Sequence, residues 1–174
     1  MNYYKVLRED LNHNGFQYKE NALNVDTEEF NPHGSCESGG LYFSRKDILA
    51  FLNYGPWICK VTLPKDARIH KDTNSHPEKW KADKIILGRK FKLTEKKIQQ
   101  LKDEGADVHA LGDQSLKWSS IHGHLEIVKL LFEHGANVQA FEDEALGWAS
   151  KWASQRGHFE VVKVIEEHIA KGKK

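Results

Sequence analysis

The sequence predicts a small α+β domain followed by a short all-α stack of repeated helical hairpins. Three observations carry this reading. Short β-prone runs broken by glycine, proline and asparagine fill residues 1–90. Beyond them, apolar residues recur at helical spacing. The helical part also copies itself. Gly123-His124-Leu125-Glu126-Ile127-Val128-Lys129 returns as Gly157-His158-Phe159-Glu160-Val161-Val162-Lys163, and Gly105-Ala106-Asp107-Val108 returns as Gly135-Ala136-Asn137-Val138. A period near thirty residues marks stacked units.

In the first part, the strand candidates are Tyr3-Tyr4-Lys5-Val6-Leu7, Leu41-Tyr42-Phe43, Trp57-Ile58-Cys59-Lys60-Val61-Thr62-Leu63 and Lys84-Ile85-Ile86-Leu87. One helix is expected over residues 47–53, opened by Ser44, with Ile48, Leu49 and Leu52 as its buried stripe. The pattern gives a mostly antiparallel sheet. Gly88-Arg89-Lys90 then leads into the helical part without a long flexible linker, which places the boundary between residues 1–90 and 91–174.

In the second part, Thr94 is the expected N-cap of a helix over residues 94–104, with Ile98 and Leu101 inward and Gly105 ending it. The complete unit has its first helix over residues 116–121 and a break at Gly123-His124. Leu125, Val128, Leu131 and Phe132 then mark the second helix, and Gly135 supplies the positive-φ turn. Trp118 recurs at Trp148 after 30 residues, whereas Gly123 recurs at Gly157 after 34. The four extra residues are a tandem copy, Trp148-Ala149-Ser150-Lys151 before Trp152-Ala153-Ser154, about one helical turn. A register set on Trp152 fits the same pattern. The array is therefore about two and a half units. Stacks of this kind need roughly three, because a lone hairpin cannot bury its apolar face. The α+β domain is the expected cover for the open end.

These residues resemble the ankyrin repeat, with its Gly-His-x-Glu-Val-Val-Lys opening and its Gly-Ala-Asp/Asn-Val turn. The unit is shorter than the usual length of about 33 residues, which implies a shortened loop before the first helix. Where the family has Thr-Pro-Leu-His, this chain has Gln114-Ser115-Leu116-Lys117 and Glu144-Ala145-Leu146-Gly147, keeping the leucine alone. Leu116-Lys117-Trp118-Ser119-Ser120 and Leu146-Gly147-Trp148-Ala149-Ser150 are similar to the short ankyrin repeats of large DNA viruses of amoebae. The resemblance implies another protein as partner and no catalysis. Candidate contacts are Trp118, Trp148 and Trp152 on first helices, and His109, Leu111, Asp113, Gln139, Phe141 and Asp143 in loops. A tryptophan repeated in exact register more often stacks on the neighbouring unit, the favoured reading for Trp118 and Trp148, which leaves Phe141 the better contact candidate. His124 and His158, at the inter-helix break, suit bonding to backbone.

Tyr4-Lys5-Val6-Leu7, Asp10-Leu11, Gly15-Phe16-Gln17-Tyr18, Cys36, Gly39-Gly40-Leu41-Tyr42-Phe43, Val61 and Ala82-Asp83-Lys84-Ile85 together resemble an uncharacterised domain of phage and giant-virus repeat proteins. That resemblance implies no activity. Gly39-Gly40-Leu41-Tyr42-Phe43-Ser44 is also similar to the tyrosine strand of ADP-ribosyltransferases, and His33-Gly34-Ser35 to their His-Gly motif. An enzyme of that kind would use NAD as cofactor, with Tyr42 stacked on its nicotinamide, His33 beside it and Glu78 as the nearest candidate for the late catalytic glutamate; a degenerate relative of that fold is the other form of this reading. Spacing opposes it, because four residues separate Ser35 from Gly40 where the fold places the two motifs on well-separated strands.

Composition narrows the rest. Twenty-six Lys and Arg against twenty-five Asp and Glu give +1, so no global field draws nucleic acid or an anionic membrane. The basic stretch Lys79-Trp80-Lys81, Lys84, Arg89-Lys90, Lys92 and Lys96-Lys97 spreads over several faces. No run approaches the roughly 18 apolar residues of a membrane span, and the N-terminus lacks a secretory core. The expectation is an intracellular protein, in the cytoplasm of an infected host cell if viral. His33, Cys36, Cys59, His70 and His76 lack the paired spacing of a structural zinc site, so no metal is expected.

Overall fold

Burial on both faces of the first strand sets the architecture. The computed structural model describes residues 2–33, 37–72, 76–137 and 154–172, and of residues 111–113 the backbone. In β1 (Tyr3–Leu7), successive side chains point to opposite faces. Tyr4 and Val6 enter one apolar cluster, and Tyr3 and Leu7 enter another.

The strands that follow are β2 (Asn12–His13), β3 (Phe16–Gln17), β4 (Ala22–Val25), β5 (Leu41–Phe43), β6 (Trp57–Thr62), β7 (Ile69–Asp72), β8 (Lys79–Ala82) and β9 (Lys84–Lys92). They form a four-stranded sheet in the order β1-β6-β9-β4, a three-stranded sheet β5-β8-β7 and a small β2-β3 hairpin. Every pairing among these strands is antiparallel. Leu7, Tyr18, Leu41, Phe43, Cys59, Val61, Ala82, Ile85 and Leu87 make the cluster fed by both large sheets.

The helical part holds α1 (Glu95–Asp103), α2 (Ala110–Ile121), α3 (Leu125–Glu133) and α4 (Phe159–Gly172). Its period is visible in hydrogen bonds. After α1, Ala106 N donates to Leu101 O at 2.8 Å; after α3, Ala136 N donates to Leu131 O at 2.9 Å. Gly105 and Gly135 hold the left-handed turn at these two places, with φ of 94° and 89°. Ile98, Leu101, Leu116, Val128, Leu131, Val161 and Ile165 belong to the same cluster as Tyr4, Val6, Ile48, Leu49, Leu52 and Ile58. One core therefore runs from the sheet-bearing part into the helices.

Several local expectations change. The helix expected over residues 47–53 is a 3-10 helix, Ile48–Tyr54, preceded by Asp47. Ser44 does not open it: its backbone bridges Tyr4, with both N···O distances 2.8 Å, and its hydroxyl donates to Glu78 O. The Gly88-Arg89-Lys90 connection lies inside β9, because Cys59↔Lys90 and Ile58↔Phe91 extend the pairing with β6. Thr94 occupies the N-cap of α1 in extended conformation and makes no side-chain cap bond; its carbonyl accepts Ile98 N at 2.9 Å. Finally, α2 begins at Ala110 rather than near Leu116, so Leu111 and Asp113 are helical and His109 directly precedes the helix. With the loop so short, the chain turns straight from the Gly105 corner into the helix, helped by Asp107 Oδ1 accepting His109 N at 2.9 Å.

Candidate functional site: a helix face and a cavity

The complete hairpin of α2 and α3 is organised around its Gly123-His124 break. His124 N donates to Ser119 O at 2.8 Å, and His124 O accepts Val128 N at 3.0 Å, so the backbone at this position ends one helix and starts the next. Burial lowers the His124 pKa, helped by the neighbouring His122 charge. On α2, Trp118 is half-buried with its ring 5.9 Å from that of His122, whose Nδ1 lies 2.9 Å from Trp118 O. His109 is exposed at the start of the same helix. Trp118 and His109 thus sit at the two ends of α2. Gln139, Phe141, Asp143, Trp148 and Trp152 lie outside the described residues.

The sheet-bearing part holds a cavity of about 560 Å³. Tyr42 lines it, together with Lys5, His13, Phe16, Tyr18 and Asp26; His33 and Glu78 are not in its lining. Strand β5 places Tyr42 there. Its hydroxyl donates to Glu37 O at 3.1 Å, and the ammonium groups of Lys79 and Lys81 each lie 5.6 Å from its ring centroid. Two cations beside this ring oppose a positively charged nicotinamide there.

His33 is exposed and offers its carbonyl to Lys81 Nζ at 2.9 Å. Glu78 pairs with Lys71 at 2.8 Å and takes a 3.4 Å bond from Trp80 Nε1. Burial works to raise the Glu78 pKa, yet these two donors outweigh it and the net direction is down. Glu78 is thereby engaged with Lys71 and Trp80 and is not among the residues that line the cavity with Tyr42.

Lys5 is the cavity residue that strand propensity hid. It shares the β1 face of Tyr3 and Leu7, is 3% exposed, and donates from Nζ to Tyr42 O at 2.7 Å. Burial pushes its pKa down to about 7. His13 also lines the cavity, its ring 4.3 Å from Tyr54, and burial lowers its pKa to about 4. The signal available in the sequence was a lysine alternating in phase with Tyr3 and Leu7 in an otherwise apolar strand.

Among the described residues, no group of three or more His, Cys, Asp or Glu side chains is placed to hold a metal ion. Cys59 is buried and unpaired, its thiol pushed up to about 12 chiefly by burial; Cys36 lies outside the described residues. No described helix is long and apolar enough to cross a membrane.

Comparison with known families matches residues 90–173 to ankyrin repeats, in a model of three copies. An ankyrin repeat protein of Acanthamoeba polyphaga mimivirus is 37% identical over 142 residues, covering 78% of this chain and 68% of that protein. A second ankyrin repeat protein of the same virus is 36% identical over 140 residues, covering 79% of this chain and 42% of its own length. A third mimivirus protein, named as uncharacterized, is 38% identical over 134 residues, 74% of this chain and 96% of its own. The chain thus spans under half of one named relative and about two thirds of another. Each alignment is longer than the helical part, so the likeness reaches into the sheet-bearing part. No solved structure matches.

Proposed function

This chain belongs to the ankyrin-repeat proteins, and from that premise we propose that residues 91–174 bind another protein while residues 1–90 cap the open face of the first unit. Ankyrin repeats generally mediate protein–protein interaction, and a stack of so few units needs its terminal apolar face covered. The observation that carries the cap is the single core joining Tyr4, Val6, Leu49 and Leu52 to Ile98, Leu101 and Leu116.

The binding face we assign is the α2 side of the stack. His109 and Trp118 present an exposed imidazole and a half-buried indole there, a pairing of polar rim and aromatic anchor. Leu111, Asp113, Gln139, Phe141, Asp143, Trp148 and Trp152 complete the surface in this reading. It acts inside an infected host cell, and it requires neither NAD nor a metal.

The test is affinity capture from amoebal lysate with wild type and with the His109→Ala, Trp118→Ala, Phe141→Ala and Trp148→Ala variants. Loss of one specific captured protein with an unchanged circular dichroism spectrum supports the face. Equal capture by all four variants, each natively folded, rejects it.

A further inference from the structure

Lys5 occupies a place where the inter-sheet core calls for an apolar side chain. Its neighbours on that face, Tyr3 and Leu7, pack with Tyr18, Leu41 and Phe43. Its Nζ reaches Tyr42 O at 2.7 Å and lies 4.7 Å from the Tyr18 ring centroid, and neither contact supplies a counter-charge. Among the described residues no carboxylate forms an ion pair with it. An ammonium withdrawn from water without a paired anion is expensive. The position is therefore better suited to a neutral amine, and the side chain lines a cavity large enough for a small organic molecule.

We propose that this cavity takes a small, uncharged, flat carbonyl compound, an aromatic aldehyde or ketone, and holds it as an imine on Lys5. Phe16, Tyr18, Tyr42 and Phe43 supply the aromatic lining. The carboxylates of Asp26, Glu28 and Glu37 line the same space and oppose an anionic ligand, while Lys79 opposes a cationic one.

The step balances without an oxidant or reductant. The unprotonated Lys5 amine adds its lone pair to the carbonyl carbon, giving a carbinolamine. The carbon–oxygen bond then breaks, the oxygen leaves as water carrying the two amine hydrogens, and a carbon–nitrogen double bond remains. His13 lines the same cavity as a neutral imidazole and so adds no further positive charge to the lining. A pKa near 7 leaves a large share of Lys5 unprotonated at neutral pH, where an ordinary lysine has about one amine in a few thousand in that form.

The experiment incubates the full-length chain with salicylaldehyde at neutral pH, reduces imines with cyanoborohydride and maps the adducts by peptide mass spectrometry. Lys5 is expected to be labelled roughly tenfold or more faster than any surface lysine, because its free-base fraction is so much larger. Its labelling saturates with aldehyde, follows pH with a midpoint near 7, and is slowed by salicyl alcohol, which has the shape without the carbonyl. Lys5→Met removes the fast adduct. Ser38→Trp, at an exposed position in the cavity lining, slows labelling of Lys5 and leaves surface lysines unchanged. Labelling of Lys5 no faster than of surface lysines, or labelling that neither saturates nor responds to salicyl alcohol, overturns the proposal.

Discussion

Tyr4 donates its phenolic hydrogen to Glu104 Oε2 at 2.8 Å, joining the first strand to the end of the first α-helix across 100 positions of chain. Asn2 donates to the same oxygen at 2.8 Å, and Gln100 to Oε1 at 2.9 Å. Burial opposes ionisation of Glu104, but these hydrogen bonds prevail and hold its carboxyl below the ordinary value of 4.5. Tyr4→Phe should cost about 1–2 kcal/mol in urea unfolding, as expected for a partly buried bond to a charged acceptor. Since the folded pKa is depressed, the ionised Glu104 contributes stability above pH 4.5 that is lost as pH falls through the folded value. Glu104→Gln should therefore be less stable than wild type at neutral pH and close to it near pH 3, read by urea melts at both.

Removing residues 1–92 should leave helices that do not fold cooperatively. Ile98, Leu101 and Leu116 are at most 3% exposed in the full chain and share their core with β1 and the 3-10 helix. The fragment 93–174 is expected to melt broadly and bind a hydrophobic dye. A sharp two-state transition in that fragment would sink the capping proposal.

The repeated glycines are not equivalent. Gly123 has φ +69°, and a Cβ there would stand 2.3 Å from His158 Nδ1; Gly157 has φ +77° and open space around it. Gly157→Ala should cost about 1 kcal/mol from backbone strain alone. Gly123→Ala carries the same strain and must also displace the His158 ring from the next unit. Thermal melts should place it clearly below Gly157→Ala.

Lys5→Met should stabilise the protein by on the order of 1 kcal/mol or more at neutral pH, since an apolar side chain replaces a buried cation. The sign with pH follows from a folded pKa of about 7 against the ordinary 10.5. Between these values the unfolded chain holds a proton that the native state lacks, so wild-type stability from this group rises with pH across that window and its cost is full below it. The advantage of Lys5→Met should shrink from pH 7 toward pH 10, measured by denaturant unfolding of both proteins.

The helical period, the glycine corners and the strand runs around Tyr3, Tyr42, Trp57 and Ile85 were legible from residue order, because turn geometry and apolar alternation are local properties. Gly105 and Gly135 ended their helices as the repeat requires. The sequence also placed Tyr42 on a strand and Ile98 and Leu101 in the core. Other features depend on distant partners, so tertiary structure alone decided them. Ser44 is held by Tyr4 instead of opening a helix, and β9 runs on to Lys92 because β6 lies beside it. Lys5 is buried because two sheets close around one face of β1, and its low basicity follows from that closure: desolvation is set by what surrounds a side chain, not by its neighbours in sequence.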